Sequence, residues 1–96
     1  MKNKETEEVL AKLFGSTSRA RILTLLFANE GLSFYQRQIM FEAGLSLQTV
    51  QRELSNLVEI GIISKDEADN RVYYKVNTDS GFFKPLAEIC GLAGVK

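Results

Sequence analysis

Apolar side chains at helical spacing predict two helices in the first third of the chain. The first, residues 5–14, carries one apolar stripe formed by Val9, Leu10, Leu13 and Phe14. Gly15 ends it, and hydroxyl side chains at residues 16–18 can cap a second helix, residues 19–28. Because that second helix is apolar around most of its circumference, we expect it to lie at the centre of the fold.

Two further helices are predicted on either side of a very tight turn. Residues 35–43 form a short amphipathic helix, and Gly44 is expected to follow it in the left-handed conformation. Ser46 is a candidate N-cap for the next helix, residues 47–60. One face of that helix is apolar, and the opposite face carries Gln48, Arg52, Ser55, Asn56 and Glu59.

After Gly61 the apolar period changes from helical to two-residue, which predicts a β-hairpin. Its strands are residues 62–67 and 71–77, with Val72, Tyr74 and Val76 on the inward face. A last helix, residues 80–92, follows and is rich in apolar side chains. The predicted fold class is therefore mainly α with a small β-hairpin, organised as one domain over residues 1–96.

Composition excludes several kinds of chemistry. The 96 residues include 12 Lys and Arg, 12 Asp and Glu, no His and one Cys. Without His, and with a single thiol, the chain lacks the usual catalytic triads, intrachain soft-metal sites and disulfide frameworks. We therefore expect neither enzymatic activity, nor a cofactor, nor a bound metal. No long apolar run or signal-peptide core is present, so we expect a soluble cytoplasmic protein that has no membrane contact.

The order of these elements resembles a winged helix-turn-helix. Residues 35–57, YQRQIMFEAGLSLQTVQRELSNL, followed by Gly61-Ile-Ile and the hairpin, look like an ArsR-like winged helix transcriptional regulator. Residues 13–23, LFGSTSRARIL, are also similar to winged helices that precede some minimal nucleotidyltransferase domains. The resemblance implies a repressor that binds double-stranded DNA, with residues 46–60 in the major groove and a wing, residues 65–75, on the backbone or minor groove.

Side-chain chemistry assigns candidate roles within that resemblance. Gln48 and Arg52 face outward in the N-terminal half of the predicted recognition helix, where Arg can pair with guanine and Gln with adenine. Thr49 and Gln51 flank them, and Ser46 with the free backbone N–H groups behind it suits a phosphate. The candidates for further phosphate contacts are Gln36, Arg37, Gln38, Asn70 and Arg71.

An alternative function also fits the sequence. The net charge is zero, whereas nucleic-acid binders are commonly basic, and residues 46–60 carry one Arg against two Glu. A solvated polar face explains Arg52 without DNA. The chain could then be a protein-interaction module, for example an accessory partner of a separately encoded nucleotidyltransferase, with the unexplained Phe41 among its contacts.

The terminal helices carry more apolar side chains than a small core needs, which predicts a two-fold homodimer. The candidate interface residues are Leu10, Leu13, Phe82, Phe83, Leu86 and Ile89. Packing of the two ends on each other within one chain is the alternative. Cys90 lies in the same apolar stripe, so we interpret it as a core or interface residue; the alternative is a disulfide or metal bridge between two Cys90 residues across the dimer.

Overall fold

Five α-helices and one two-stranded hairpin make up residues 4–94, the part of the chain that the computed structural model describes; side-chain surroundings are described for residues 8–91. The elements are α1 (Lys4–Phe14), α2 (Thr17–Ala28), α3 (Gln36–Ala43), α4 (Leu47–Glu59), β1 (Ile63–Ala68), β2 (Arg71–Val76) and α5 (Phe83–Gly94). The mainly α fold with a β-hairpin is thus confirmed. Residues 1–3 and 95–96 of the predicted domain lie outside the described residues.

Helix α2 occupies the centre, as its apolar circumference predicts. It packs against α1, α3, α4 and α5, and its buried side chains are Ala20, Ile22, Leu23, Leu26 and Phe27. The helix begins at Thr17 because the Ser16 hydroxyl accepts a hydrogen bond from the Arg19 N–H at 3.0 Å. Around α2, the interior is completed by Ile39, Val50, Leu54, Leu57 and Ile63 from the next three elements.

The predicted tight turn between α3 and α4 is confirmed. Gly44 has φ of 68°, in the left-handed region that favours glycine, and its N–H donates to the Met40 carbonyl. Two residues later Ser46 caps α4, where its hydroxyl accepts from the Thr49 N–H at 3.2 Å. The Gly44 turn and the Ser46 cap together fix the orientation of α4, and with it the direction of its polar face.

The hairpin pairs Ile63 with Val76 at its base and Ala68 with Arg71 at its tip. The turn residues Asp69 and Asn70 have φ of 53° and 65°, which is the type I′ geometry that matches the twist of the two strands. The predicted alternation is confirmed: Tyr74 and Val76 are buried, and Val72 is half-buried. Phe34 extends this sheet by one residue, through two 2.8 Å backbone hydrogen bonds with Tyr74.

The first and last helices meet, since α1 and α5 both pack on α2 and contact each other. Leu10 and Ala20 form a small buried cluster there, against which Phe14 and Ile89 pack. Helix α5 begins at Phe83, later than the predicted residue 80, because the Ser80 hydroxyl accepts from the Phe82 N–H at 3.1 Å and closes a turn before the helix. Within residues 4–94, no helix has the length and apolar character needed to cross a membrane.

This packing corrects part of the predicted dimer interface. Leu10 is only 4% exposed, so it lies inside the chain and is not available to a second copy. Phe83, Leu86 and Ile89 are half-buried against the interior. Leu13 and Phe82 remain 63% and 62% exposed. The apolar stripes of the terminal helices therefore pack against the core of their own chain to a larger extent than the sequence indicated.

Candidate nucleic-acid interface

The outward face of α4 is polar and accessible over its whole length. Gln48, Gln51, Arg52, Ser55 and Asn56 are all exposed. The opposite face is buried in the interior through Val50, Leu54 and Leu57. At the N-terminus the Ser46 hydroxyl donates to Thr49 Oγ1 at 2.9 Å. Thr49 is half-buried, and this hydrogen bond makes its side chain less free than the sequence indicated. The face that remains open is the one the sequence predicts.

Glu53 interrupts the buried face of α4 and is 3% exposed. Arg19 of α2 donates to it twice, from Nε to Oε1 at 2.7 Å and from Nη2 to Oε2 at 3.5 Å. This ion pair was not predicted, although Glu53 falls three residues after Val50 and four before Leu57, on the apolar side. Because the carboxylate is turned inward and paired, Arg52 is the one ionic side chain on the exposed face between Leu47 and Asn56.

A groove lies between the N-terminus of α3 and the hairpin. Its volume is about 490 Å³, and it is lined by Tyr35, Gln36, Arg37, Gln38, Lys65, Arg71, Val72 and Tyr74. Three of these residues are cationic and none is a carboxylate. The groove brings together the predicted phosphate contacts on α3 with Arg71 of the hairpin and adds Lys65. Guanidinium, ammonium and amide donors of this kind suit phosphate oxygens.

A chain of polar side chains joins α4 to this groove. Gln51 Nε2 donates to Gln36 Oε1 at 3.4 Å, and Gln36 Nε2 donates to the Tyr74 hydroxyl at 3.2 Å. Both glutamines were predicted to contact nucleic acid directly. Their mutual hydrogen bond instead links α4, α3 and β2, so that the exposed helix face and the groove belong to one continuous surface.

Tyr35, which lines the groove, forms an aromatic pair with Tyr73 of β2. Their ring centroids are 4.8 Å apart, and their hydroxyl oxygens lie 3.2 Å from each other. Arg71 Nη1 donates to the Tyr35 hydroxyl at 3.0 Å, and the guanidinium carbon lies 5.7 Å from the centre of the Tyr35 ring. Neither tyrosine was among the predicted site residues.

Hydrogen bonds shift the pKa values of Tyr35 and Tyr73 in opposite directions. The hydrogen bond with Tyr73, and after it the one from Arg71, lowers the pKa of Tyr35 below the ordinary tyrosine value. The hydrogen bond with Tyr35 raises the pKa of Tyr73. The same contact with Tyr35 raises the pKa of Arg71, which stays fully charged. The guanidinium of Arg71 is thus the cationic member of this group.

Two predicted residues stand apart from the groove. Asn70 lies exposed at the tip of the hairpin, where its positive φ already serves the turn. Phe41, on α3 one turn after Arg37, is 77% exposed.

The chain was compared with protein-family models, with curated proteins and with solved structures, and none of them matches it.

Proposed function

We propose that this protein binds double-stranded DNA in a sequence-specific manner as a homodimeric transcriptional repressor of the winged helix-turn-helix type, resembling ArsR-like regulators. Helix α4 is the recognition helix, and the hairpin is the wing. The observation that carries the proposal is the open polar face of α4, continuous with a groove whose charged lining side chains are all cationic.

Local charge supports DNA binding although the whole chain is neutral. The Glu53 carboxylate is paired inside the protein, which removes the nearest negative charge from the surface of α4. Arg37, Lys65 and Arg71 line the groove beside it. A phosphate backbone that lies in this groove meets three cations and releases condensed counterions, so the affinity should fall as salt rises.

Base reading is assigned to the exposed face of α4. Arg52 reaches outward from the middle of the helix and can donate two hydrogen bonds to guanine, whereas Gln48, one turn earlier, can pair with adenine. Ser46 caps α4 through Thr49, and the N–H groups that stay free in the first turn behind it fit a phosphate at the edge of the major groove. With few cations on each copy, the affinity of one monomer is low, and a two-fold dimer that presents two α4 helices about one DNA turn apart compensates for this.

Fluorescence anisotropy tests the proposal. The purified protein is titrated with labelled duplexes from its own upstream region and with an unrelated duplex, at two salt concentrations. We expect selective, salt-sensitive binding, and a loss of about 1–3 kcal/mol of binding free energy for Arg52→Ala or Gln48→Ala on the selected duplex. Lys84→Ala, which removes an exposed cation on α5, is the matched control. Equal binding of both duplexes, unchanged in the two α4 variants, contradicts the proposal.

Phe41 favours a second candidate function, a protein-interaction module that could serve a nucleotidyltransferase. An aromatic ring that is 77% exposed on α3 is the kind of anchor that protein interfaces bury. The two candidates differ in their dependence on α4. If the protein acts through DNA, Phe41→Ala leaves the affinity for the selected duplex unchanged while Arg52→Ala weakens it.

A further inference from the structure

We propose that Tyr35, braced by Tyr73, is a positioning residue that presents the Arg71 guanidinium to the nucleic-acid backbone. The inference rests on the proposed function and adds to it a residue that does not itself contact DNA. It also gives the α3–hairpin junction a role in binding beyond the packing of the fold.

Arg71 needs such support because of where it lies. It is exposed and follows the hairpin turn directly, at the tip pair with Ala68. A free arginine side chain samples many rotamers, and ordering it on binding costs conformational entropy. The Tyr35 hydroxyl takes one N–H of the guanidinium at 3.0 Å, and the ring adds a cation–π contact at 5.7 Å. The other four N–H donors of the guanidinium remain for a phosphate.

Tyr35 can act as a fixed support because the chain anchors it on two sides. Its own N–H donates to Gln38 Oε1 at 2.9 Å, at the N-terminus of α3. The preceding residue, Phe34, is paired with Tyr74 in both directions. The ring of Tyr35 lies against Tyr73, and the hydroxyl oxygens of the two tyrosines are 3.2 Å apart. The position of Arg71 is thereby tied to α3 and β2 together, and not to the hairpin tip alone.

Because the Tyr35 hydroxyl is uncharged, its hydrogen bond with Arg71 also leaves the positive charge of the guanidinium available to a ligand. Asp66 lies directly across the strands from Tyr73, and Asp69 lies in the adjacent turn. Within the described side chains no salt bridge joins either carboxylate to Arg71. A phenol orients the guanidinium without neutralising it, whereas a carboxylate would compete with the phosphate.

A double-mutant cycle tests the inference, with the duplex selected in the anisotropy experiment and the unrelated duplex as probes. Arg71→Ala is expected to weaken binding to both duplexes by a similar factor. It should also reduce the magnitude of the slope of log K against log salt by about one. Tyr35→Phe keeps the ring and removes the hydroxyl, and it should weaken binding about three- to tenfold. In the Arg71→Ala background, Tyr35→Phe should have no further effect. Such coupling is the signature of a residue that acts through Arg71.

A second readout checks the contact without DNA. Because Arg71 lowers the pKa of Tyr35, Arg71→Ala should raise that pKa toward the ordinary value in an NMR titration of the tyrosine ring carbons, and Tyr73→Phe should raise it more, since the Tyr73 hydrogen bond is the larger cause. Lys84→Ala should leave it unchanged. An unchanged pKa in Arg71→Ala means that the contact is absent in solution and overturns the inference.

The outcomes separate this inference from the proposed function. If Tyr35→Phe weakens binding equally in both backgrounds, or not at all, the positioning role is wrong while DNA binding stands. If Arg71→Ala has no effect but Arg52→Ala does, the role of Arg71 is wrong and the recognition helix stands. If none of these variants changes binding, or the wild-type chain binds neither duplex, the proposed function fails and this inference fails with it.

Discussion

Glu53 shows how a single residue shapes the proposed interface from inside the protein. Its carboxylate is accepted among apolar neighbours because Arg19 reaches it from α2 with a 2.7 Å hydrogen bond. Buried charges are tolerated when they are paired, and removal of one partner leaves the other without compensation. The pair therefore ties α4 to α2 and keeps the Glu53 carboxylate off the exposed face of α4, where Glu59 at the C-terminal end is the remaining acidic side chain.

We predict that Glu53→Ala destabilises the fold by about 1–3 kcal/mol, since it leaves the part-buried Arg19 unpaired and opens space beside the interior. Urea unfolding followed by circular dichroism measures this loss. Glu59→Ala, at an exposed position of the same helix, is the control and should change the stability by less than about 0.5 kcal/mol. A similar loss for both variants would show that the ion pair contributes nothing particular.

At the scale of elements, the α3–α4 junction depends on one backbone conformation. Gly44 ends α3 at φ of 68°, and Ser46 starts α4 two residues later. A Cβ at Gly44 would meet only Arg21 Nη1, at an ordinary 3.7 Å. The demand for glycine is therefore conformational and does not come from crowding, because an L side chain is strained in the left-handed region.

Gly44→Ala is accordingly expected to cost about 1 kcal/mol of folding stability. The matched control is Gly91→Ala in α5, whose added Cβ meets nothing within 4 Å and whose φ is not positive. That substitution should stabilise the protein by about 0.5–1 kcal/mol, because alanine loses less backbone entropy in a helix. Thermal unfolding of the two variants should thus give shifts of opposite sign. A shift of the same sign for both would contradict this account.

At the scale of the whole molecule, the interface of the proposed dimer must be formed by apolar side chains that stay exposed after α1 and α5 have packed on α2. Val9, Leu13 and Phe82 are each more than half exposed, whereas Leu10 and Cys90 lie inside. Burial also raises the pKa of the Cys90 thiol to about 11. Within one chain, then, Cys90 is a protonated core residue.

We predict that Leu13→Asp or Phe82→Asp shifts the protein from dimer to monomer in analytical ultracentrifugation, because an ionised side chain cannot be buried unpaired at an apolar interface. Folding should be little affected, since both positions are exposed. Leu10→Ala gives the opposite pattern, a loss of about 2–5 kcal/mol of stability with no direct effect on association. A wild-type chain that sediments as a monomer at all concentrations would rule out the homodimer.

The sequence by itself determined the helical regions, the Gly44 turn with the Ser46 cap, and the hairpin with its inward face. These features depend on the spacing of neighbouring side chains, on capping and on the φ preferences of a few residues, all of which act over a few positions. The predicted start of α5 was wrong by three residues, because the turn closed by Ser80 competes locally with the helix.

Only the tertiary structure decided which polar side chains meet. Arg19 and Glu53 are 34 positions apart, Tyr35 and Arg71 are 36 apart, and Tyr35 and Tyr73 are 38 apart. The small cluster that buries Leu10 likewise includes Ile89 of α5, from the other end of the chain. Periodicity assigns a side chain to a face of its own element, but it does not identify the element that covers that face. The cationic groove exists because α3 and the hairpin are brought together by the packing of the interior.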